Sequence, residues 1–293
     1  MKKQKFTVDE NIIPELEALN SKNKNLSNSN LSNANLQNIN LVNCDIQNSD
    51  FSKANLENAS LYGANLKGCN LFKVNLKNAN LNYSNLENCN LLGANFENTK
   101  LRNVKWGENY KVVNEIEAET AYKNKDYKLA KEKYREAEDI YRAIKISMQS
   151  QTLGEETGQF FIREMIAKRK QFDKFSGSRI GSKIIEITTG YGEKLGNIAF
   201  TILGIIIACM FLYGIEGVSY QGKTLGFFSD DFSLVSTLGN LFYFSVVVYS
   251  TVGFGEMVPI GPLGKSIMIF EGIIGGLVLA ILIIALYKKS MDR

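Results

Sequence analysis

Residues 51–71 read FSKANLENASLYGANLKGCNL, and an apolar side chain returns there at every fifth position: Phe51, Leu56, Leu61, Leu66 and Leu71. The same beat runs unbroken from Leu26 to Leu101, through Leu31, Leu36, Leu41 and Ile46 at one end and Phe96 at the other, making 16 pentads. Two residues before each comes a mostly small one (Ala34, Cys44, Ser49, Ala54, Ala59, Ala64, Cys69, Ala79), and the residue directly before is Asn in 12 of 16 cases. A period of five matches neither the helix, at about 3.6, nor the strand, at about 2. It suits a square coil with one inward side chain per face, so the segment is expected to wind into a solenoid. The small residue fits because its side chain also points into the narrow coil. Four coils at a strand-like spacing of about 4.8 Å would stand about 19 Å tall.

This pattern resembles the pentapeptide-repeat family, which implies a right-handed quadrilateral β-helix over residues 25–106, with 1–24 as an N-terminal cap segment. Some members of that family are acidic mimics of DNA. Residues 26–101 hold five Lys against five Asp/Glu, so the charge needed for mimicry is missing and no nucleic-acid partner is expected. The expected role is a folded spacer, or a docking or regulatory surface for an unidentified cytoplasmic protein.

The rest of the chain is organised by segregation of apolar residues. The net charge is +4 and the mean hydropathy −0.12, yet residues 197–215 carry no charged side chain and 266–287 carry only Glu271. At about 1.5 Å per residue each run crosses a hydrocarbon core of roughly 30 Å, so the chain is expected in a lipid bilayer. Eight Lys/Arg lie from Arg163 to Lys194, and Lys288, Lys289 and Arg293 follow the second run, whereas 216–262 holds only Lys223 against Glu216, Asp230, Asp231 and Glu256. That asymmetry predicts a multi-pass protein of the plasma membrane with both termini cytoplasmic. The N-terminus shows no apolar signal core, which agrees. With no His, and four Cys in no ligand-like spacing, neither a metal centre nor a disulfide framework is expected.

Between solenoid and membrane, residues 107–175 are charged and helix-favouring. NKDYKLAKEKYREAEDIYRAIK resembles the second half of a tetratricopeptide-like hairpin through Tyr127, Ala130, Tyr134 and Ala137; QSQTLGEETGQ breaks the helical pattern and FFIREMIAKRK resumes it. We read this as an α-helical connector. Residues 176–196 read as an interfacial amphipathic helix and turn, with Ile180, Ile184, Ile185 and Ile187 among charges.

A Gly-aromatic-Gly-Glu tetrapeptide occurs twice, at Gly190–Glu193 and Gly253–Glu256. The first follows a charged segment with no span ahead of it and reads as a turn. The second lies between the two spans, after the apolar stretch STLGNLFYFSVVVYS (236–250) and before Pro259 and Pro262, which are expected to stop any helix. The run Thr251-Val252-Gly253-Phe254-Gly255 in that setting resembles the filter of two-transmembrane-helix potassium channels, with Phe in the Tyr position. The resemblance implies a pore domain at 197–290: two membrane helices, a re-entrant pore helix, and K+ coordinated by the carbonyls of Thr251, Val252, Gly253 and Phe254 with the Thr251 hydroxyl. Gly253 and Gly255 permit the unusual backbone angles. Val252 and Phe254 side chains are expected to wedge the loop against the re-entrant helix.

Further implications concern the surroundings. Glu256 stands where Asp is usual and Val247 where some members carry Glu, so filter support is expected from Glu256 hydrogen-bonded by Tyr243. Glu271, a carboxylate inside a span, is expected to pack behind the filter, with a cavity-facing role as the alternative. Gly264-Lys265 would open the inner helix, and Gly275-Gly276 would form its gating hinge or a close-packing site. Four chains must surround one axis, which implies a homotetramer. With no phosphate loop, calcium loop or catalytic triad in residues 1–196, no enzyme and no cofactor is expected, K+ being the permeant ion. The alternatives are a membrane-tethered interaction protein and a weakly selective cation channel.

Overall fold

The computed structural model describes residues 4–5, 12–21, 25–151 and 154–291. The chain divides into two units, Met1–Lys183 and Ile184–Met291.

In the first unit the pentads form a solenoid. Parallel bridges join residues twenty apart, from Asn30↔Asp50 to Asn85↔Lys105, so one coil consumes four pentads. The sixteen apolar positions from Leu26 to Leu101 are at most 4% exposed. Where the residue before is Asn, it commonly serves two purposes. Its side-chain carbonyl accepts from the backbone two residues on, as in Glu87 N to Asn85 Oδ1 at 3.0 Å. Its amide also ladders onto the next coil: Asn75 Nδ2 donates to Asn55 Oδ1 at 3.0 Å, and Asn95 to Asn75 at 3.1 Å.

A second column went unread in the sequence. Two residues past each core position the backbone turns left-handed, with φ between 54° and 73° at all sixteen corners. Asn fills ten of these, from Asn28 to Asn103, Gly63, Gly68 and Gly93 three, and Lys53, Lys73 and Tyr83 the rest. Asn and Gly are the residues that reach this region most cheaply.

Both ends of the solenoid are covered. Strand β1 (Gln4–Lys5) pairs in parallel with β2 (Ser29–Asn30), and α1 (Ile12–Ser21) buries Ile12 and Leu16 in the same core. At the other end Gln151 meets the last coil: its Oε1 accepts from Leu101 N at 3.0 Å, and its amide donates to Thr99 O. These contacts satisfy backbone groups that an open edge would leave bare.

Three helices follow: α2 (Val113–Lys123), α3 (Tyr127–Gln149) and α4 (Gly154–Lys170). Asp126 caps α3 by accepting from Leu129 N at 3.0 Å. Ala130, Tyr134 and Ala137 are buried as the pattern requires, but Tyr127 is 60% exposed, stacked edge-on against Tyr122. Residues 152 and 153, within the expected break, lie outside the described residues. Beyond them the break does not hold, since Gly154–Gln159 is already helix. Phe160 explains this. It is buried among Trp106, Tyr110 and Tyr141, with ring centroids 5.0, 5.5 and 6.1 Å away, and that burial outweighs the cost of about 1 kcal/mol per helical glycine. Helix α5 (Gly177–Thr189) leaves Ile180, Ile184, Ile185 and Ile187 exposed.

The second unit contains α6 (Leu195–Glu216), α7 (Leu234–Tyr249) and α8 (Pro262–Met291). Helices α6 and α8 are long and apolar enough to cross a membrane. Helix α7, at 16 residues, reaches only about 24 Å and falls short of the hydrocarbon thickness. A small sheet of β3 (Val218–Tyr220), β4 (Lys223–Leu225) and β5 (Met257–Pro259), in the order β4-β3-β5, was not visible as a pattern because each strand has three residues. Of the two prolines expected to stop a helix, Pro259 ends β5 and Pro262 starts α8. Proline suits that first position, whose N–H has no helical partner anyway.

Candidate functional site

The segment between α7 and β5 is built on a helix end. Ser233 caps the start of α7 by accepting from Ser236 N at 3.4 Å. At its end Thr251 N donates to Val248 O at 3.0 Å and Val252 N to Val247 O at 3.2 Å. From Gly253 to Glu256, among the described residues, no backbone hydrogen bond follows until β5 begins.

The dihedrals of this loop are distinctive. Thr251, Gly253 and Gly255 have φ of 58°, 57° and 74°, with Val252 and Phe254 between them in the ordinary range. An ordinary extended chain throws successive carbonyls to opposite sides. A left-handed residue at every second position turns them toward one side instead. Two of the three such positions are Gly, which adopts them freely; at Thr251 the β-branched side chain costs roughly 1–2 kcal/mol. A row of unpaired carbonyls cannot face lipid, but it can take the place of water around a cation.

The first tetrapeptide behaves differently. Gly190–Gly192 is a single 3-10 turn between α5 and α6 with three consecutive left-handed residues. Its Glu193 is tied to α8 by Lys288 at 2.7 Å.

The side chains of the loop depart from expectation. Val252 is 55% exposed and Phe254 63%, so neither is wedged against α7 within one chain. Phe254 only borders a cleft of about 140 Å³ beside Tyr243, Phe244 and Val247. Tyr243 and Glu256 line the same cleft but no hydrogen bond joins them, and Tyr243 is 41% exposed.

Glu271 lies completely buried where α6, α7 and α8 meet. Tyr213 of α6 donates its hydroxyl to Glu271 Oε2 at 2.7 Å, and Ser245 Oγ of α7 lies 2.5 Å from Oε1. Ser245 Oγ is also 2.9 Å from the carbonyl of Ile206. The Tyr213 ring packs edge-on against Phe244, 4.8 Å away. The carboxyl thus pins the helix that carries the loop to both long helices. Tyr213 and Ser245 were missed in the sequence, although a polar group inside an apolar helix is the signal that marks each.

Two further contacts set the loop's frame. A Cβ at Gly275 would come within 2.5 Å of Tyr249 O, so glycine is what lets α8 approach the end of α7; beside Gly276 there is open space. Glu216, read in the sequence only as a connection charge, accepts from Leu263 N at 3.3 Å and from Gly264 N, capping α8. Gly261 and Gly264 give it room: an added Cβ would overlap Glu216 Oε1 at the first and lie 2.9 Å from Pro259 Cβ at the second. Among the described residues no group of three or more His, Cys, Asp or Glu could hold a metal ion.

Comparison with known proteins bears on both units. Residues 25–61, 39–78 and 69–105 match a family described as pentapeptide repeats, in 8 copies, and residues 202–289 match one described as an ion channel. Neither description is that of an enzyme. A pentapeptide repeat protein (Rfr23) from the cyanobacterium Cyanothece 51142 is 43% identical over 28% of this chain and 56% of its own, with a TM-score of 0.28. One from the Arabidopsis thaliana thylakoid lumen is 24% identical over 29% and 57%, at a TM-score of 0.16. One from Nostoc Pcc 7120 is 27% identical over 38% and 93%, at 0.22. The chain thus spans a little over half the length of the first two. No curated protein matches. Residues 25–105 thus carry pentapeptide repeats, and the residues that match the ion-channel family, 202–289, take in most of two helices long and apolar enough to cross a membrane.

Proposed function

We propose that four copies of this chain surround one axis and form a potassium-selective pore for passive K+ permeation. The observation that carries the reading is the alternation of left-handed residues at Thr251, Gly253 and Gly255 in a loop between two spans. Four such loops would stack rings of carbonyls of Thr251, Val252, Gly253 and Phe254, joined by the Thr251 hydroxyl, around a dehydrated K+. Fourfold closure would also supply the wall that Val252 and Phe254 lack in one chain. Glu271 acts from behind α7 and Glu216 from the start of α8, both holding the loop's frame rather than touching the ion. In this reading Gly275 is a packing contact first, and hinge motion there must break the approach to Tyr249.

The orientation that follows from loop charge is multi-pass in the plasma membrane with both termini cytoplasmic. The repeats form a right-handed four-sided β-helix, supported by the twenty-residue bridge register. Helices α2–α4 connect it to the membrane unit, and the solenoid serves as a regulatory or docking module.

The test is reconstitution in liposomes with opposed K+ and Na+ gradients, using Gly253→Asp as control. A reversal potential near the K+ equilibrium value, lost in the variant, is expected. An intermediate value would replace the reading by a weakly selective cation pore. Absence of current from both proteins, in liposomes shown to contain folded tetramer, would favour the tethered interaction protein.

A further inference from the structure

The corner between α4 and α5 closes one side of a groove of about 350 Å³, and α2 and α3 form the other. Its charge is lopsided. Lys131, Lys170, Lys174 and Arg179 line it, with Asp173 the one carboxylate among its lining residues. Elsewhere in and beside these helices several cations are ion-paired: Lys111 with Glu119 at 2.7 Å, Lys133 with Glu136 at 2.9 Å, Lys145 with Glu164 at 2.6 Å, and Arg142 with Glu138, Asp139 and Glu164. None of the four groove cations has an ion-pair partner among the described residues, Asp173 included. Lys170 is half-buried, and its amine is held below the usual lysine range, first by burial and then by Arg179 and Arg169. Arg179 donates one Nη1 bond to Phe172 O at 2.9 Å, which fixes the guanidinium while leaving its other donors available.

The walls are aromatic. Tyr122 and Tyr127 meet edge-on at 5.3 Å, and Phe172 stands on the opposite lip. Tyr127 and Phe172 are both exposed, though each would be cheaper to bury. Unpaired cations and uncovered rings each raise the energy of the empty groove, and one ligand would relieve both.

We propose that this groove binds a phosphate ester bearing a planar ring, that is, a nucleotide. Lys170, Lys174 and Arg179 take the phosphates by charge-assisted hydrogen bonds, and Tyr127 with Phe172 covers the ring. The volume falls in the range of small-ligand sites. A phosphate could also arrive on a lipid headgroup, since α5 carries exposed isoleucines beside Arg179; the aromatic walls favour the soluble ester.

The experiment uses the full chain in phosphatidylcholine nanodiscs, titrated with a fluorescent N-methylanthraniloyl ATP and competed with ATP. Saturable binding displaced by ATP is expected, weakened by roughly tenfold or more in Lys170→Met and in Arg179→Gln. Lys128→Gln, an exposed lysine outside the groove, should bind as the parent does. Lys170→Met should also raise the melting temperature of the unliganded protein, which loss of a structural contact would not do. Three results would overturn the proposal: no saturable binding up to about 1 mM, binding undiminished in both groove variants, or no nucleotide binding while, in nanodiscs made with phosphatidylglycerol, the same variants lose that lipid by native mass spectrometry.

Discussion

The buried carboxyl of Glu271 can be tested by a double-mutant cycle with Tyr213. Tyr213 is fully buried, and among the described residues its hydroxyl has one acceptor, Glu271 Oε2 at 2.7 Å. Glu271→Leu leaves that hydroxyl orphaned, whereas Ser245 still has the Ile206 carbonyl. An orphaned buried donor costs about 1–3 kcal/mol in soluble proteins. Hydrogen bonds between membrane helices have been worth less, about 0.6 kcal/mol on average and about 1.7 at most. We therefore expect Glu271→Leu to cost about 1–2 kcal/mol per protomer, and Tyr213→Phe about 1. The double variant should cost scarcely more than Glu271→Leu alone, giving a coupling of about 1 kcal/mol. Glu271→Gln retains an acceptor for Tyr213 and can donate to Ser245, so it should lose under about 0.5 kcal/mol. The assay is unfolding in mixed micelles of increasing dodecyl sulfate, followed by circular dichroism. Strict additivity of the two substitutions, or a Gln variant as damaged as Leu, would refute the argument that one hydrogen-bonded knot ties the three helices.

Glu216→Ala should destabilise the same unit by about 1–2 kcal/mol, the worth of a charged helix cap; Gly261→Ala should be damaging in the parent and milder once Glu216 is Ala, because its clash is with that carboxylate. In the solenoid, Lys53 and Lys73 occupy left-handed corners at φ 60° and 54°; replacing each with Asn should stabilise by about 0.5–1 kcal/mol, read as a rise in melting temperature. Glu115 is buried, with its carboxyl accepting from the Tyr141 hydroxyl, and burial holds it above the ordinary carboxylate range. The folded state then keeps a proton that the unfolded chain has released, so this group's stabilising contribution is complete below the unfolded value and declines as pH rises through the folded one. Glu115→Gln should remove that decline, seen as a parent-minus-variant difference in melting temperature that shrinks as pH falls from neutral.

The solenoid was legible because its signal is local and repeated: each pentad buries one large apolar side chain and a second, mostly small one three residues on, and sixteen in register leave little choice of fold. The second column, at Asn28 through Asn103, was equally present in the letters. Its signal differs in kind: Asn two residues past the core position reports a backbone angle, which hydropathy does not register. The helical break was misplaced for the opposite reason. Gly154 and Gly158 argue locally for a stop, and the burial of Phe160 among three rings overrides them.

By itself the sequence determined the coil of twenty, the two apolar spans, and which Gly-aromatic-Gly-Glu lies between those spans, since each depends on neighbours within a few residues or on bulk hydropathy. Tertiary structure decided what holds the loop. Tyr213 and Glu271 are 58 residues apart, Ser245 and Glu271 are 26, and Glu216 reaches Leu263 across 47. It also brought Lys131 to Lys170 and Arg179 around one groove. No periodicity encodes such meetings, because a buried polar group can be satisfied by any partner that packing delivers, and packing is settled only when the helices close together.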